Sequence, residues 1–118
     1  MSLVNFTNAL TPTEDIQLTV TDHASGRETT RPVWFVQEGD ALYLLPVRGS
    51  NTPWFRKVLK APSVRLAVND AAITATARSI TDPRRVREVV EKFRAKYGAD
   101  EVKKYYSKLD VAVEVSLG

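Results

Sequence analysis

The chain has 118 residues, of which 43% are hydrophobic and 26% charged, with no cysteine and a formal net charge of +3. This length fits one domain over residues 1–118, and the composition is that of a globular protein rather than a disordered one. The absence of cysteine excludes disulfides, cysteine-ligated metals and a thiol nucleophile. We therefore expect one packed core.

The excess positive charge lies in residues 82–104, where acidic residues interrupt the basic ones. Arg84 and Glu88, for example, have the i,i+4 spacing of a salt-bridged helix face. A nucleic-acid surface would instead combine a basic stripe with aromatic side chains that stack on bases. The pattern favours a solvated helix face, and nucleic-acid binding through Arg84, Arg85 and Arg87 is the alternative.

No apolar run approaches the roughly 18 residues that a membrane-spanning helix needs. The N-terminus has neither a basic leader nor an apolar segment of the signal-peptide type. We expect a cytoplasmic protein that does not enter a membrane.

Six segments have the alternating or β-branched pattern of short strands. In the first, Ile16, Leu18 and Val20 alternate with polar residues, and the others cover residues 33–37, 41–47, 64–68, 73–80 and 111–117. Pro32 marks the predicted start of the second strand. Turns are predicted at Ser25-Gly26, Glu38-Gly39-Asp40 and Asn69-Asp70, so that the middle strands form two hairpins.

Helical patterns separate these strands. Thr52-Pro53 opens a short helix that ends at Lys60, and Asp82 caps a longer one that stops at Gly98. Asp100 is predicted to cap a third, shorter helix before the last strand. Short strands in two hairpin-rich halves, with helices outside, favour a small six-stranded antiparallel barrel of the α+β class. Because such a barrel has little interior space, a ligand would lie between subunits.

Residues 48–57 form the most suggestive segment for ligand binding. The segment leaves a strand through a glycine, carries hydroxyl and amide side chains and opens a helix whose first N–H groups are free to bind an anion. Basic side chains before and inside the helix could add charge-assisted hydrogen bonds. The candidate phosphate ligands are Arg48, Gly49, Ser50, Arg56 and Lys57.

The same segment is also compatible with an ordinary strand-to-helix connection. Thr52 would then be the N-cap and Trp54 would fill the core. In the second strand, Arg31 and Trp34 could line an aromatic ligand slot together with Tyr43, although packing is the usual role of such aromatic residues.

The remaining side chains offer no familiar catalytic arrangement. His23, the only histidine, lies in a predicted turn without a serine or aspartate partner, and no metal-ligand set is present. Tyr97, Tyr105 and Tyr106 on the helices are assigned to packing or to an interface. No residue is therefore given a catalytic role.

Short motifs over nearly the whole chain carry a family resemblance. They are Gly26-Arg27, Arg31-Pro32-Val33-Trp34-Phe35-Val36, Gly39-Asp40-Ala41-Leu42-Tyr43-Leu44, Arg48-Gly49, Pro53-Trp54-Phe55-Arg56, Ala61-Pro62-Ser63-Val64, Ala75-Thr76-Ala77-Arg78, Asp82-Pro83 and Phe93-Arg94-Ala95-Lys96-Tyr97-Gly98. Their order and spacing resemble the split-barrel flavin-binding superfamily, which includes pyridoxamine-phosphate-oxidase-like and deazaflavin-dependent nitroreductase-like proteins. Within it, the chain looks most similar to a small subfamily of uncharacterised function.

The resemblance implies an antiparallel split barrel that forms a homodimer and binds FMN, or alternatively a deazaflavin coenzyme, at the subunit interface. The cofactor ring would lie against the second and third strands. The cofactor-binding residues implied are Arg31, Val33, Trp34, Leu45, Pro46, Arg48, Gly49, Ser50, Trp54, Arg56 and Lys57.

The chain departs from the superfamily pattern in two places. Pro46 stands where a small hydroxyl residue is expected, and the histidine and arginine that the oxidases use near the C-terminus have no counterpart. Pyridoxamine phosphate oxidation is therefore not expected. The hypothesis is a flavin- or deazaflavin-dependent oxidoreductase, and the alternative is a split-barrel protein that binds a flavin, haem or other small ligand without turnover.

Overall fold

The computed structural model describes residues 15–68 and 71–117. The strands in this part are β1 (Asp15–Thr21), β2 (Glu28–Glu38), β3 (Ala41–Leu44), β4 (Ser63–Val68), β5 (Ala71–Ile80) and β6 (Ala112–Ser116). The helices are α1 (Pro53–Lys60), α2 (Pro83–Tyr97) and α3 (Ala99–Tyr105), and a short 3-10 helix (Gly49–Asn51) precedes α1. This order of strands and helices is the predicted one.

The six strands form a closed barrel in the order β1-β2-β3-β6-β5-β4. Every neighbouring pair is antiparallel. The hairpins place most strands beside their chain neighbours, and β6 returns to pair with both β3 and β5. The predicted six-stranded antiparallel barrel with outer helices is therefore confirmed.

The barrel interior holds the main hydrophobic core. Ile16, Leu18 and Val20 of β1 are each 1% exposed, as their alternation predicts. Helix α1 adds Trp54 and Phe55 to the same cluster. Since each fully buried large apolar side chain contributes roughly 1.5–3 kcal/mol, α1 is an integral part of the barrel core.

A second apolar cluster lies under α2 and α3, outside the barrel. It joins Val86, Val90 and Phe93 of α2 to Val102 of α3 and Ala112 of β6. These α2 residues have the i, i+4, i+7 spacing that turns one helix face toward the sheet. The two helices thus cover one side of the barrel only.

The ends of the helices mostly follow the sequence signals. Asp82 caps α2, its side chain accepting a hydrogen bond from the Arg84 N–H at 3.1 Å, and α2 ends just before Gly98 as predicted. The prediction that Asp100 caps α3 is wrong, because the helix begins at Ala99 with Gly98 as N-cap. Asp100 lies in the first turn instead, where a negative charge stabilises the helix dipole.

Two strand boundaries differ from the prediction by three residues or more, and both lie at the opening of the barrel. Strand β2 begins at Glu28 rather than after Pro32, and β3 ends at Leu44 rather than continuing to residue 47. Pairing of β2 with β3 stops at Phe35 and Leu44. Continued in the same register, the ladder would place Pro46 opposite Val33, and prolines have no N–H to donate.

Residues 31–34 of β2 consequently pair with β1 alone, and the chain after β3 diverges from them.

The predicted turn at Asn69-Asp70 lies outside the described residues. None of the helices in the described ranges has the length and apolar character that crossing a membrane would require.

Candidate functional site

A groove opens where β2 and the chain after β3 separate. Its volume is about 590 Å³, and both tryptophans of the chain contribute to its walls. The lining residues are Asp15, Arg31, Pro32, Val33, Trp34, Leu45, Val47, Trp54, Glu101, Tyr105 and Tyr106. We refer to this feature as the groove.

Trp34 anchors an aromatic cluster at the wall of the groove. Its ring stacks on Tyr97 with a centroid distance of 4.1 Å and an interplanar angle of 5°. Tyr105 meets it edge-on at 5.5 Å, and Tyr106 lies tilted at 6.0 Å. These contacts hold the Trp34 ring in one orientation, because offset stacks and edge-to-face pairs are each favourable.

Hydrogen bonds from α2 to β2 fix the strand beneath this cluster. The Phe35 N–H donates to the Tyr97 hydroxyl at 3.1 Å, and that hydroxyl donates to the Phe35 carbonyl at 2.9 Å. Lys96 Nζ donates to the same carbonyl at 2.8 Å and lies 3.6 Å from the centroid of the Phe35 ring. Helix α2 therefore sets the position of β2 where it leaves β3.

The groove is mostly apolar, with three charged side chains among the described residues that line it. Arg31 is the basic one, and Asp15 and Glu101 are acidic. Burial raises the pKa of the Tyr106 phenol, and the nearby Tyr97 raises it further. Tyr106 is therefore a neutral hydroxyl at physiological pH.

In the segment predicted to bind phosphate, residues 48–57, Ser50 binds a carboxylate of the protein itself, that of Asp110. The Ser50 N–H donates to Asp110 Oδ1 at 2.9 Å, and the Ser50 hydroxyl donates to Oδ2 at 2.6 Å. Lys108 Nζ lies 3.6 Å from Oδ2. Burial would raise the pKa of Asp110, but these hydrogen bonds and the lysine charge outweigh it and hold the pKa below its ordinary value.

Gly49 permits this close approach. Its φ is +56°, and a Cβ at this position would lie 2.0 Å from Asp110 Oδ1. A neighbouring hydrogen bond, from the Ser107 N–H to the Val47 carbonyl at 2.8 Å, ties the same two segments together. The loop is thus fastened to the connection between α3 and β6.

Two further predicted phosphate ligands, Arg56 and Lys57, contact different parts of the structure. Arg56 donates to the Ser50 carbonyl at 3.3 Å and to Asn51 Oδ1 at 3.1 Å, so its guanidinium supports the loop. Lys57 Nζ donates instead to Thr29 Oγ1 on β2 at 3.2 Å. Thr52 is the N-cap residue of α1, and its hydroxyl accepts a hydrogen bond from the Arg48 N–H at 2.8 Å.

The structure brings five of the predicted site residues together in the groove and leaves six outside its lining. The lining includes Arg31, Val33, Trp34, Leu45 and Trp54. The six predicted residues outside the lining are Pro46, Arg48, Gly49, Ser50, Arg56 and Lys57. His23 is exposed in the turn between β1 and β2.

Six residues of the groove lining were not among the predicted site residues: Asp15, Pro32, Val47, Glu101, Tyr105 and Tyr106. Tyr105 and Tyr106 are adjacent at the end of a short amphipathic helix, and this pair was the one sequence feature that could have indicated their part in the site. The periodicity of the helix, however, favours a packing role for such residues. Only the return of α3 to the chain after β3 places them opposite β2.

Comparison with solved structures supports the fold. An F420-H2-dependent reductase has a TM-score of 0.68 and 19% identity over 87% of this chain and 94% of its own. The haem storage protein HutZ from Vibrio cholerae has a TM-score of 0.73 and 16% identity, covering 98% and 90%. A candidate pyridoxamine 5'-phosphate oxidase from Listeria innocua has a TM-score of 0.70 and 16% identity, over 96% of this chain and 90% of its own.

These similarities confirm the split-barrel fold that the sequence motifs predicted. No curated protein has a matching sequence. A family model described as an uncharacterized protein conserved in bacteria, DUF2255, matches residues 7–114. The chain therefore belongs to the DUF2255 family.

Proposed function

We propose that this protein binds a flavin or deazaflavin ring in the groove and acts as an oxidoreductase with that cofactor. The observation that carries the proposal is a groove of about 590 Å³ walled by two tryptophans and two tyrosines, with Arg31 among its lining residues. Pockets for small ligands typically measure about 300–1,000 Å³, with apolar walls and few polar groups. The similarity of fold to an F420-H2-dependent reductase supports the same class of cofactor.

The aromatic wall suits a planar ring. Trp34 is held by its stack on Tyr97, so a ligand does not have to immobilise it. Trp54 is 3% exposed and belongs to the barrel core, so the part of the groove wall that it forms is rigid as well. A bound flavin or deazaflavin would supply hydride or electron transfer, and these residues would orient its ring and exclude water.

For FMN, the phosphate fits Arg31 and Lys57 better than the Gly49-Ser50 loop. The loop donors already bind Asp110, whose negative charge opposes a phosphate. Lys57 reaches Thr29, which shares a face of β2 with Arg31 because residues two apart on a strand point the same way. We propose that Arg31 and Lys57 bind the phosphate, while Arg48, Gly49, Ser50 and Arg56 shape the loop.

A haem fits the groove less well, although HutZ shares the fold. The described residues that line the groove include no histidine, methionine or cysteine, which are common axial ligands. Tyr106 could ligate iron only as a phenolate, and burial raises its pKa. These facts favour a flavin or deazaflavin.

We further propose a homodimer in which a second copy covers the groove. Val47 and Tyr105 at its rim are 41% and 51% exposed, which is unusual for large apolar and aromatic side chains next to a binding site. Val47→Asp should then shift the protein toward the monomer in light scattering, whereas Leu59→Asp, at an exposed residue of α1 away from the groove lining, should not.

The test is a fluorescence titration with FMN, riboflavin and a deazaflavin. We expect Arg31→Ala to weaken FMN binding about tenfold or more, with a smaller effect on riboflavin, which has no phosphate. Arg78→Ala, a charge-matched control in β5 outside the groove lining, should leave binding unchanged.

Reduction of the bound cofactor by a nicotinamide donor would support the oxidoreductase. Tight binding without reduction would instead support the ligand-binding alternative. No binding of any of the three at high micromolar concentration would refute the proposal.

A further inference from the structure

Tyr106 occupies a rigid position at the edge of the groove. It follows the last residue of α3, and its N–H donates to the Val102 carbonyl at 3.0 Å. The next residue, Ser107, donates its N–H to the Val47 carbonyl in the chain after β3. The Tyr106 ring packs edge-on against Phe93 at 6.2 Å. Backbone and ring are therefore both held in place.

The Tyr106 side chain lines the groove. The residue is 7% exposed, and within residues 15–68 and 71–117 its hydroxyl has no hydrogen-bond partner. A ligand in the groove could therefore bind this hydroxyl without breaking a hydrogen bond of the described residues.

The hydroxyls of Tyr97 and Tyr105, the other two tyrosines around Trp34, have different surroundings. The Tyr97 hydroxyl is engaged with both backbone groups of Phe35. Tyr105 is 51% exposed, so any ligand contact of its hydroxyl competes with bulk water. Of the three, Tyr106 alone combines a nearly buried side chain with a hydroxyl that has no partner among the described residues.

We propose that the Tyr106 hydroxyl donates a hydrogen bond to a carbonyl oxygen on the edge of the planar ring that the groove binds. This inference rests on the proposed function and names a ligand-binding residue for it. Its physical basis is that a nearly buried polar group is costly without a partner, so a ligand acceptor gains more there than at an exposed hydroxyl. The neutral phenol can only donate to such an acceptor or accept from a donor, and flavin ring edges carry carbonyl acceptors.

The experiment compares Tyr106→Phe with Tyr43→Phe, a control that also removes one tyrosine hydroxyl but at a residue of β3 outside the groove lining. Both variants and the wild type are titrated with FMN and with lumiflavin, which has the ring but no phosphate. We expect Tyr106→Phe to weaken binding of both about fivefold to tenfold, the effect of one hydrogen bond, and Tyr43→Phe to change it less than about twofold. The absorption band of the bound ring should also shift in Tyr106→Phe alone.

The outcomes separate this inference from the proposed function. Wild-type binding that Tyr106→Phe leaves unchanged would overturn the role of Tyr106 and leave cofactor binding intact. Absence of wild-type binding to either ligand would overturn both.

If Tyr106→Phe does not fold, the hydrogen bond is tested in the wild type. The protein is labelled with 13C in its tyrosine rings, and NMR measures the chemical shift of the Tyr106 ζ-carbon. A shift of the Tyr106 ζ-carbon on adding lumiflavin supports the hydrogen bond, and an unchanged shift under saturation overturns it.

Discussion

Replacing Gly49 by alanine tests how the loop before α1 is fastened to Asp110. Gly49 has a φ of +56°, and an added Cβ would lie 2.0 Å from Asp110 Oδ1. A left-handed conformation costs a non-glycine residue roughly 1–2 kcal/mol. The overlap also drives the carboxylate away from Ser50, and losing hydrogen bonds at this partly exposed position costs about 1 kcal/mol more. The free energy of unfolding should therefore fall by about 2–3 kcal/mol.

Gly26→Ala is the matched control for this substitution. Gly26 also has a positive φ, +73°, but a Cβ added there would meet no atom of the described residues within 4 Å, so only the conformational cost applies. That cost is about 1–2 kcal/mol. Urea unfolding followed by circular dichroism measures both variants, and an unchanged m-value confirms that the comparison is one of stability.

A double-mutant cycle isolates the contact with Asp110. In an Asp110→Ala background the obstructing carboxylate is gone and the nearest remaining atom is Lys108 Cγ at 3.1 Å, so the cost of Gly49→Ala should fall toward that of Gly26→Ala. Equal losses for Gly49→Ala and Gly26→Ala in the otherwise wild-type protein would refute the reasoning, because the contact would then carry no free energy.

Three further variants test contacts around the site. Tyr97→Phe removes the hydroxyl bonded to both backbone groups of Phe35, so thermal unfolding should show a loss of about 1–2 kcal/mol; Tyr106→Phe removes an unpartnered hydroxyl and should melt like the wild type. Asp110→Asn should destabilise the protein at pH 7. The pKa of Asp110 is lowered in the fold, so its carboxylate stabilises above the unfolded pKa, near 4, and this contribution disappears as pH falls through the lower folded pKa. Urea unfolding curves of Asp110→Asn and wild type should therefore converge as the pH falls below the unfolded pKa and through the lower folded one, and a difference that stays constant over this fall would contradict the assignment.

Local patterns in the sequence were sufficient to predict the architecture. The alternation of Ile16, Leu18 and Val20 defines a strand with one buried face, and the spacing from Val86 to Phe93 defines a helix with one apolar face. These signals act within a few residues, because side chains two apart on a strand or three to four apart on a helix share a face. The order of such elements sufficed to predict the six-stranded antiparallel barrel.

Strand ends were less predictable, because the limits of a ladder depend on the partner strand. Residues 45–47 are apolar and suit a strand by themselves. Their pairing with β2 fails beyond Leu44, where the same register would place Pro46, which has no N–H to donate, opposite Val33. The groove exists because of this failure, and only the register of β2 with β3 reveals it.

The chemistry of the site was decided by contacts between distant parts of the chain. Residues 48–57 have the composition of an anion-binding segment, yet Asp110, sixty residues after Ser50, supplies the carboxylate that the loop binds. Tyr106 has the pattern of a packing residue, and only the approach of α3 to the chain after β3 makes it part of the groove wall. Composition and periodicity describe what each segment favours locally, whereas a binding site depends on which segments the fold brings within hydrogen-bond distance.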